Sequence, residues 1–324
     1  MRALASPASC KGSISAVGAA LALAAGLRAG GLDAEEAPVA DGGEGTVEVL
    51  AATLGGEWRA APASDPLGRV VAARYLVLGD GTAVVEAAEA VGLARMGVDE
   101  RDPMRASSSG LGELLLVVAS ETVGPIVVGL GDSATVDGGA GMRDVVGDAF
   151  DSRELRALCD VRNPLLGERG AARAFGPQKG ASPEQVEELE ARLAAMTELR
   201  PYAELPGAGA AGGLGAAIAL LGGELVSGAQ IVLERIGFRG LASGADLVVT
   251  GEGTIDRSSG EGKAVGEVIR LCGEEKVRCV VFGGQVEEAL PGVETHELSG
   301  DPRRAAEDLF GLGERLADAL LGGA

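Results

Sequence analysis

Short apolar runs that end in glycine, proline or an acid alternate along this chain with longer stretches of helical periodicity, and that alternation leaves few folds open. It is the pattern of βα units, which bury their strands in a largely parallel sheet beneath helices. Strands are expected at 2–6, 36–40, 70–78, 83–87, 126–129, 246–250, 277–282 and 295–298. Helices are expected at 13–29, 46–53, 109–118, 183–199, 213–221, 262–272 and 303–321. Ser182-Pro183-Glu184 opens one of them with a capping hydroxyl, a proline at the first helical position and an acid in the first turn. Aromatics supply only 2% of the 324 residues while hydrophobic residues supply 46%. Ala, Val and Leu must therefore fill the core at short range, against many glycines. The length favours two domains over one. The turn Asp65-Pro66-Leu67-Gly68-Arg69 reads as a domain entry and 237–244 as an exit, giving one domain from 1–60 with 237–324 and an inserted one from 61–236.

A formal charge of −20 repels polyanions, so neither nucleic acid nor an anionic membrane is expected as a partner. A small anion stays open, because local cations decide its binding. Of the 28 basic residues only Lys11, Lys179, Lys263 and Lys276 are lysines, and all but Lys276 sit beside glycine. Cys10, Cys159, Cys272 and Cys279 make no C-x-x-C pair and His296 is the single histidine, which argues against a zinc site or a disulfide scaffold. The uncharged run 12–27 is rich in Ala and Gly and reads as part of the first βα unit rather than as a leader. No stretch reads as transmembrane, and a cytoplasmic enzyme is expected.

No G-x-x-x-x-G-K-[ST] occurs, so any phosphate cradle must be of another kind. Gly207, Gly209 and Gly212 satisfy G-x-G-x-x-G, but no strand precedes them, which disfavours a dinucleotide site. Better candidates are loops in which a strand ends in glycines, small hydroxyls and acids before a helix begins, since such loops aim backbone N–H groups at an anion. In the loop 129–139, Ser133 and Thr135 can bond phosphate oxygens while Asp132 and Asp137 can hold Mg²⁺, or the same residues simply cap the next helix. In 40–45, Asp41 and Glu44 can take a hydroxyl proton or a metal. The segment 250–256 repeats the design with Glu252, followed by Lys263. Lysines beside glycine at 11, 179 and 263 supply compact charge of the kind phosphoryl transfer needs.

Together these segments resemble one family, the bacterial type of glycerate kinase. The likeness is carried by Ser9-Cys10-Lys11-Gly12-Ser13, Asp41-Gly42-Gly43-Glu44-Gly45, Asp65-Pro66-Leu67-Gly68-Arg69, Ser133-Ala134-Thr135, Asp137-Gly138-Gly139, Cys159-Asp160-Val161, Asn163-Pro164-Leu165-Leu166-Gly167, Phe175-Gly176-Pro177-Gln178-Lys179-Gly180 and Thr250-Gly251-Glu252-Gly253. The resemblance implies phosphorylation of D-glycerate by ATP with Mg²⁺, at the 2-hydroxyl in preference to the 3-hydroxyl. It implies a two-domain α/β fold, with a flavodoxin-like parallel-sheet domain formed by both chain ends and a restriction-endonuclease-like domain inserted in it. On that footing Lys11 and Arg69 neutralise the carboxylate or γ-phosphate, and Asp41 or Glu44 accepts the hydroxyl proton. Ser9, Ser133, Thr135, Lys179 and Lys263 hold substrate or phosphate, and Asp137, Asp160 and Glu252 are the metal candidates. The partner expected is the small-molecule substrate, and a homodimer is compatible. Ala8 replaces a usual Asp, Cys10 a Phe, Asp132 a Gly, Val136 an Asn and Thr254 an Arg, and the segment between 147 and 158 is short. Ala8 and Val136 keep open a non-catalytic binding paralogue; an NAD-dependent hydroxy-acid enzyme rests on the Gly207 motif alone.

Overall fold

Eleven strands form two separate sheets in the computed structural model, which describes residues 1–147, 153–260 and 262–322. In chain order they are β1 (Arg2–Ala5), β2 (Asp33–Glu36), β3 (Glu57–Ser64), β4 (Val70–Val77), β5 (Ala83–Glu86), β6 (Ile126–Gly129), β7 (Leu155–Leu158), β8 (Glu224–Val226), β9 (Leu247–Ile255), β10 (Arg278–Val286) and β11 (Glu294–Glu297). The chain divides into a terminal unit, Met1–Asp41 with Glu48–Thr53 and Ala229–Ala324, and a central unit, Gly42–Val47 with Leu54–Gly228. The first division differs from 60 for a simple reason. β3 starts at Glu57 and pairs with β4 along its whole length, which draws 57–60 into the central unit.

The terminal unit holds a five-stranded sheet in the order β2-β1-β9-β10-β11, with every pair parallel. Renumbered within the unit, this is the doubly wound order 2-1-3-4-5 of flavodoxin-like folds. Its core joins Ala3, Ala5, Leu247, Val249 and Phe282 of the strands to Leu23, Leu27, Leu309 and Leu312 of helices Ala16–Ala29 and Ala305–Gly322. Glycine lets those two helices approach closely: a Cβ on Gly26 would fall 1.9 Å from Phe310 O, and one on Gly313 2.6 Å from Leu23 O. A core almost without aromatics is packed in this way, by backbone proximity instead of bulk.

β2 begins three residues before the expected 36–40. The apolar segment after it still lies along the chain leaving β1, since Ala37 N donates to Ala5 O and Val39 N to Pro7 O. Pro7, whose carbonyl faces this segment, has no N–H to return a bond, so the regular ladder stops short.

The central unit holds a six-stranded sheet, β3-β4-β5-β6-β7-β8, antiparallel through β5 and parallel beyond it. The short turns at 65–69 and 78–82 impose the antiparallel edge, because so few residues cannot make a parallel crossover. Burial follows topology. β5 and β6 are buried at every position, whereas β4 alternates as a sheet with one open face must. β3 escapes a sequence reading because Pro62 and several alanines weaken its strand signal, and it is tolerated as an edge strand. Helix Pro183–Ala195 starts as expected, with Ser182 and Gln185 exchanging capping hydrogen bonds, but ends at 195 instead of 199. Residues 148–152, within the short segment noted between 147 and 158, lie outside the described residues.

Candidate active site

In the terminal unit the strand order reverses between β1 and β9, and this switch point opens a crevice at the carboxyl ends of the two strands. The chain leaving β1 folds into a tight turn, with Cys10 N donating to Ile14 O and Ser13 N to Cys10 O. Gly12 takes φ +75 there, a conformation costly to any residue with a Cβ. Ser15 then caps helix Ala16–Ala29 by accepting from Gly18 N. Lys11 is thereby presented, exposed, at the tip of the turn. Ala8 N donates to Gly251 O, which fixes this loop to β9.

A cleft of about 380 Å³ sits over that junction and is lined by Ser9, Lys11, Glu252, Thr254 and Lys263 among others. Lys263 Nζ donates to Ser258 Oγ at 2.8 Å, and Asp256 holds Ser258 in turn through its hydroxyl and its N–H. Glu252 Oε1 is buried and has no hydrogen-bond partner. Burial pushes the Glu252 carboxyl above the ordinary range, Ser259 and Lys263 pull it back, and Asp41 and Asp256 add to the rise. Ser9, Lys11, Glu252 and Lys263 thus line one cleft of this unit, and Asp41 acts on Glu252 through its charge. A second cleft, of about 410 Å³, lies among the helices Gly228–Arg235, Phe238–Ser243 and Ala264–Glu275 and is reached by no strand-end loop.

The central unit carries a different group. Lys179, only 4% exposed, donates from Nζ to Ser133 Oγ at 3.0 Å and to Thr135 O at 2.8 Å. Burial lowers its pKa to about 7, against the opposing pull of Asp137 and Asp132. Ser133 and Thr135 are themselves buried, and Thr135 Oγ1 has no hydrogen-bond partner. Asp132, where the resembled pattern has glycine, adopts φ +55, which Asp tolerates better than most residues. Asp137 accepts from Ser108 N, Ser108 Oγ and Gly141 N at one oxygen and from Gly139 N at the other. Those bonds make it a helix cap and a tie between two helices, and a metal would have to displace them.

Three other candidates stand apart from both groups. Arg69 donates to Asp65, to Glu100 Oε1 at 2.8 Å and to Arg95 O at 3.0 Å, so its guanidinium braces its own turn. Asp160 Oδ1 accepts from Ser227 Oγ and Gly228 N, at the start of helix Gly228–Arg235. Glu44 is exposed, and its charge acts on an acid that sequence reasoning missed. That acid is Glu86, at the end of β5, where Oε1 accepts from Val47 N at 2.9 Å. Burial raises its pKa to about 7, helped by Glu89 and Glu44 and opposed by hydrogen bonds from Val47 N and Gly45 N. No motif flags Glu86; its only sequence signal is an acid closing an apolar run.

Two of the departures from the resembled pattern are taken up in packing. Val136 is 1% exposed in a cluster with Leu165, Leu189 and Leu193, and Ala8 packs against the cluster of Ile255, Val265 and Val281. The Gly207 motif serves packing too. A Cβ on Gly212 would fall 1.9 Å from Thr135 O, one on Gly215 2.1 Å from Gly207 O, and Gly138 N donates to Gly212 O. Among the described residues no group of three or more His, Cys, Asp or Glu side chains is placed to hold a metal, and no helix is long and apolar enough to cross a membrane.

Comparison with known proteins gives one consistent result. The pattern described as Glycerate kinase family matches residues 3–154 and 146–300. The chain is 37% identical to a glycerate kinase of Halalkalibacterium halodurans, over 90% of this chain and 87% of that one. It is 40% identical to a glycerate 2-kinase of Escherichia coli K12, over 81% of this chain and 80% of that one. The crystal structure of a candidate glycerate kinase 2 from Salmonella typhimurium LT2 superposes with a TM-score of 0.86 at 32% identity, covering 100% of this chain and 99% of that one.

Proposed function

The chain belongs to the glycerate kinase family and is a kinase, and on that footing we propose that it transfers the γ-phosphoryl group of ATP to the 2-hydroxyl of D-glycerate. The observation that carries this reading is the switch-point cleft, where Lys11 and Lys263 flank an acid with an unpartnered buried oxygen. Phosphoryl transfer asks the protein chiefly for positioning and for charge opposite the phosphate oxygens, and two lysines on glycine-flanked loops supply both. Asp41, whose charge acts on Glu252, accepts the hydroxyl proton, and Glu44, the other candidate, stands apart from this cleft beside Glu86. Ser9 lies beside Lys11 and offers a hydroxyl to the same anion.

Glu252 fits a divalent cation, because an orphaned carboxylate oxygen seeks such a partner. Mg²⁺ held there with the nucleotide would supply neutralising charge at the phosphate oxygens. Asp160 has already committed one oxygen to a helix start and ranks below Glu252 as a ligand, and Asp137 is assigned to capping. Lys179, Ser133 and Thr135 are buried together and hold the 129–139 loop, and Arg69 braces its own turn. The terminal and central units serve as the two domains of the enzyme. Four unpaired cysteines agree with a cytoplasmic setting.

The test is ADP release with D-glycerate in Lys11→Ala and Asp41→Asn variants. Rates fall by about 10² or more if these groups stabilise charge and accept the proton. Near wild-type rates in both would end the assignment. Phosphorus NMR of the product distinguishes 2- from 3-phosphoglycerate.

A further inference from the structure

We propose that the cleft of the terminal unit is the seat of the whole nucleotide, with the triphosphate over Lys11 and Lys263 and the base against Leu298 on a ledge of bare backbone. This rests on the kinase reading above and assigns one of its two substrates to one place.

The ledge is made by three glycines at the carboxyl edge of the sheet. Gly253 lies in the half-buried stretch of β9, Gly284 lies in β10, and Gly300 follows β11. They lean on one another: a Cβ on Gly284 would fall 2.7 Å from Gly253 O, and one on Gly300 3.4 Å from Gly284 O. Gly253 in turn comes within 3.4 Å of Cys10 Cα, measured from the position of its absent Cβ. All three line the cleft, and none presents a side chain to what enters it. Backbone left bare across successive strand ends is what a flat, extended ligand needs for close approach.

Size and polarity then choose the ligand. The cations belong to the loop after β1 and the helix start after β9, whereas Leu298 stands at the end of β11, its N–H donating to Gly283 O. Neighbouring strands lie about 4.8 Å apart, which puts Leu298 roughly 10 Å along the sheet edge from β9. Charge at one end and an apolar contact at the other match a nucleoside triphosphate. Glycerate, a three-carbon anion, would leave most of that run empty. Ser13 Oγ donates to Pro302 O at 3.1 Å and closes the side of the cleft.

Calorimetric titration of the full chain with ATP, with adenosine and with inorganic tripolyphosphate tests the assignment, alongside steady-state KM values for ATP and glycerate. Leu298→Ala is expected to weaken ATP and adenosine about tenfold, to leave tripolyphosphate unchanged and to leave the glycerate KM unchanged. Gln285→Trp, an exposed residue of the same lining, fills the cleft without removing core and is expected to exclude ATP. If either variant raises the glycerate KM and spares ATP, the cleft holds the acid; this proposal is overturned while the kinase reading survives. If the wild type binds ATP here but never phosphorylates glycerate, the kinase reading fails and the nucleotide seat stands.

Discussion

Glu86 is buried to 8% exposure, and its carboxyl titrates at about 7 instead of 4.5. Because the folded value is raised, the protonated form stabilises the fold. That contribution is fully present below pH 4.5 and is lost as the pH rises towards 7. The displacement corresponds to about 3 kcal/mol, a large share of the stability of an ordinary domain. Glu86→Gln keeps an oxygen to accept from Val47 N–H and removes the charge. The variant should match wild type near pH 4.5 and exceed it by up to about 3 kcal/mol at pH 8. Trp58, the single tryptophan, lies on β3 in the same unit, so its fluorescence during urea unfolding reports the relevant transition. A difference between the two proteins that does not change from pH 4.5 to 8, or one that runs the other way, would refute a buried carboxyl charged at a cost. Any fall in kcat without a change in KM would further show that the 42–47 turn relies on that charge for its position.

Lys179 should show the opposite trend: its folded pKa is lowered, so its contribution is present above pH 10.5 and is lost as the pH falls to about 7, and Lys179→Met should abolish the rise in Trp58-monitored stability over that window. Gly212→Ala, which would force a Cβ against Thr135 O at φ +72, should cost about 3 kcal/mol in the same urea assay, whereas Gly222→Ala, at φ +80 with nothing within 4 Å, should cost about 1. Asp132→Ala should lose about 1 kcal/mol through its left-handed backbone while Asp132→Gly does not, again read by urea unfolding.

Part of the candidate site was legible because residues suited to phosphate chemistry leave marks in single loops. Lysine beside glycine, and acids between glycines at strand ends, pointed to Ser9, Lys11, Glu252 and Lys263, which one cleft collects. At Arg69 and Asp137 the same marks coincide with hydrogen bonds to their own loops and to neighbouring elements. A guanidinium or carboxylate in a glycine turn looks alike in sequence whether or not it also braces the backbone around it, and those bonds become visible only in the fold. Lys179 carried the right neighbours but the wrong exposure, since burial is a property of everything packed around a residue.

Alternating apolar runs by themselves determined an α/β chain with parallel strands, because side-chain periodicity is local and each βα unit announces itself. The antiparallel edge of the second sheet, the 2-1-3-4-5 order of the first and the pKa of Glu86 were settled by tertiary structure alone. Each depends on which distant segments come to lie side by side, and neither strand pairing nor desolvation is encoded in any one stretch of residues.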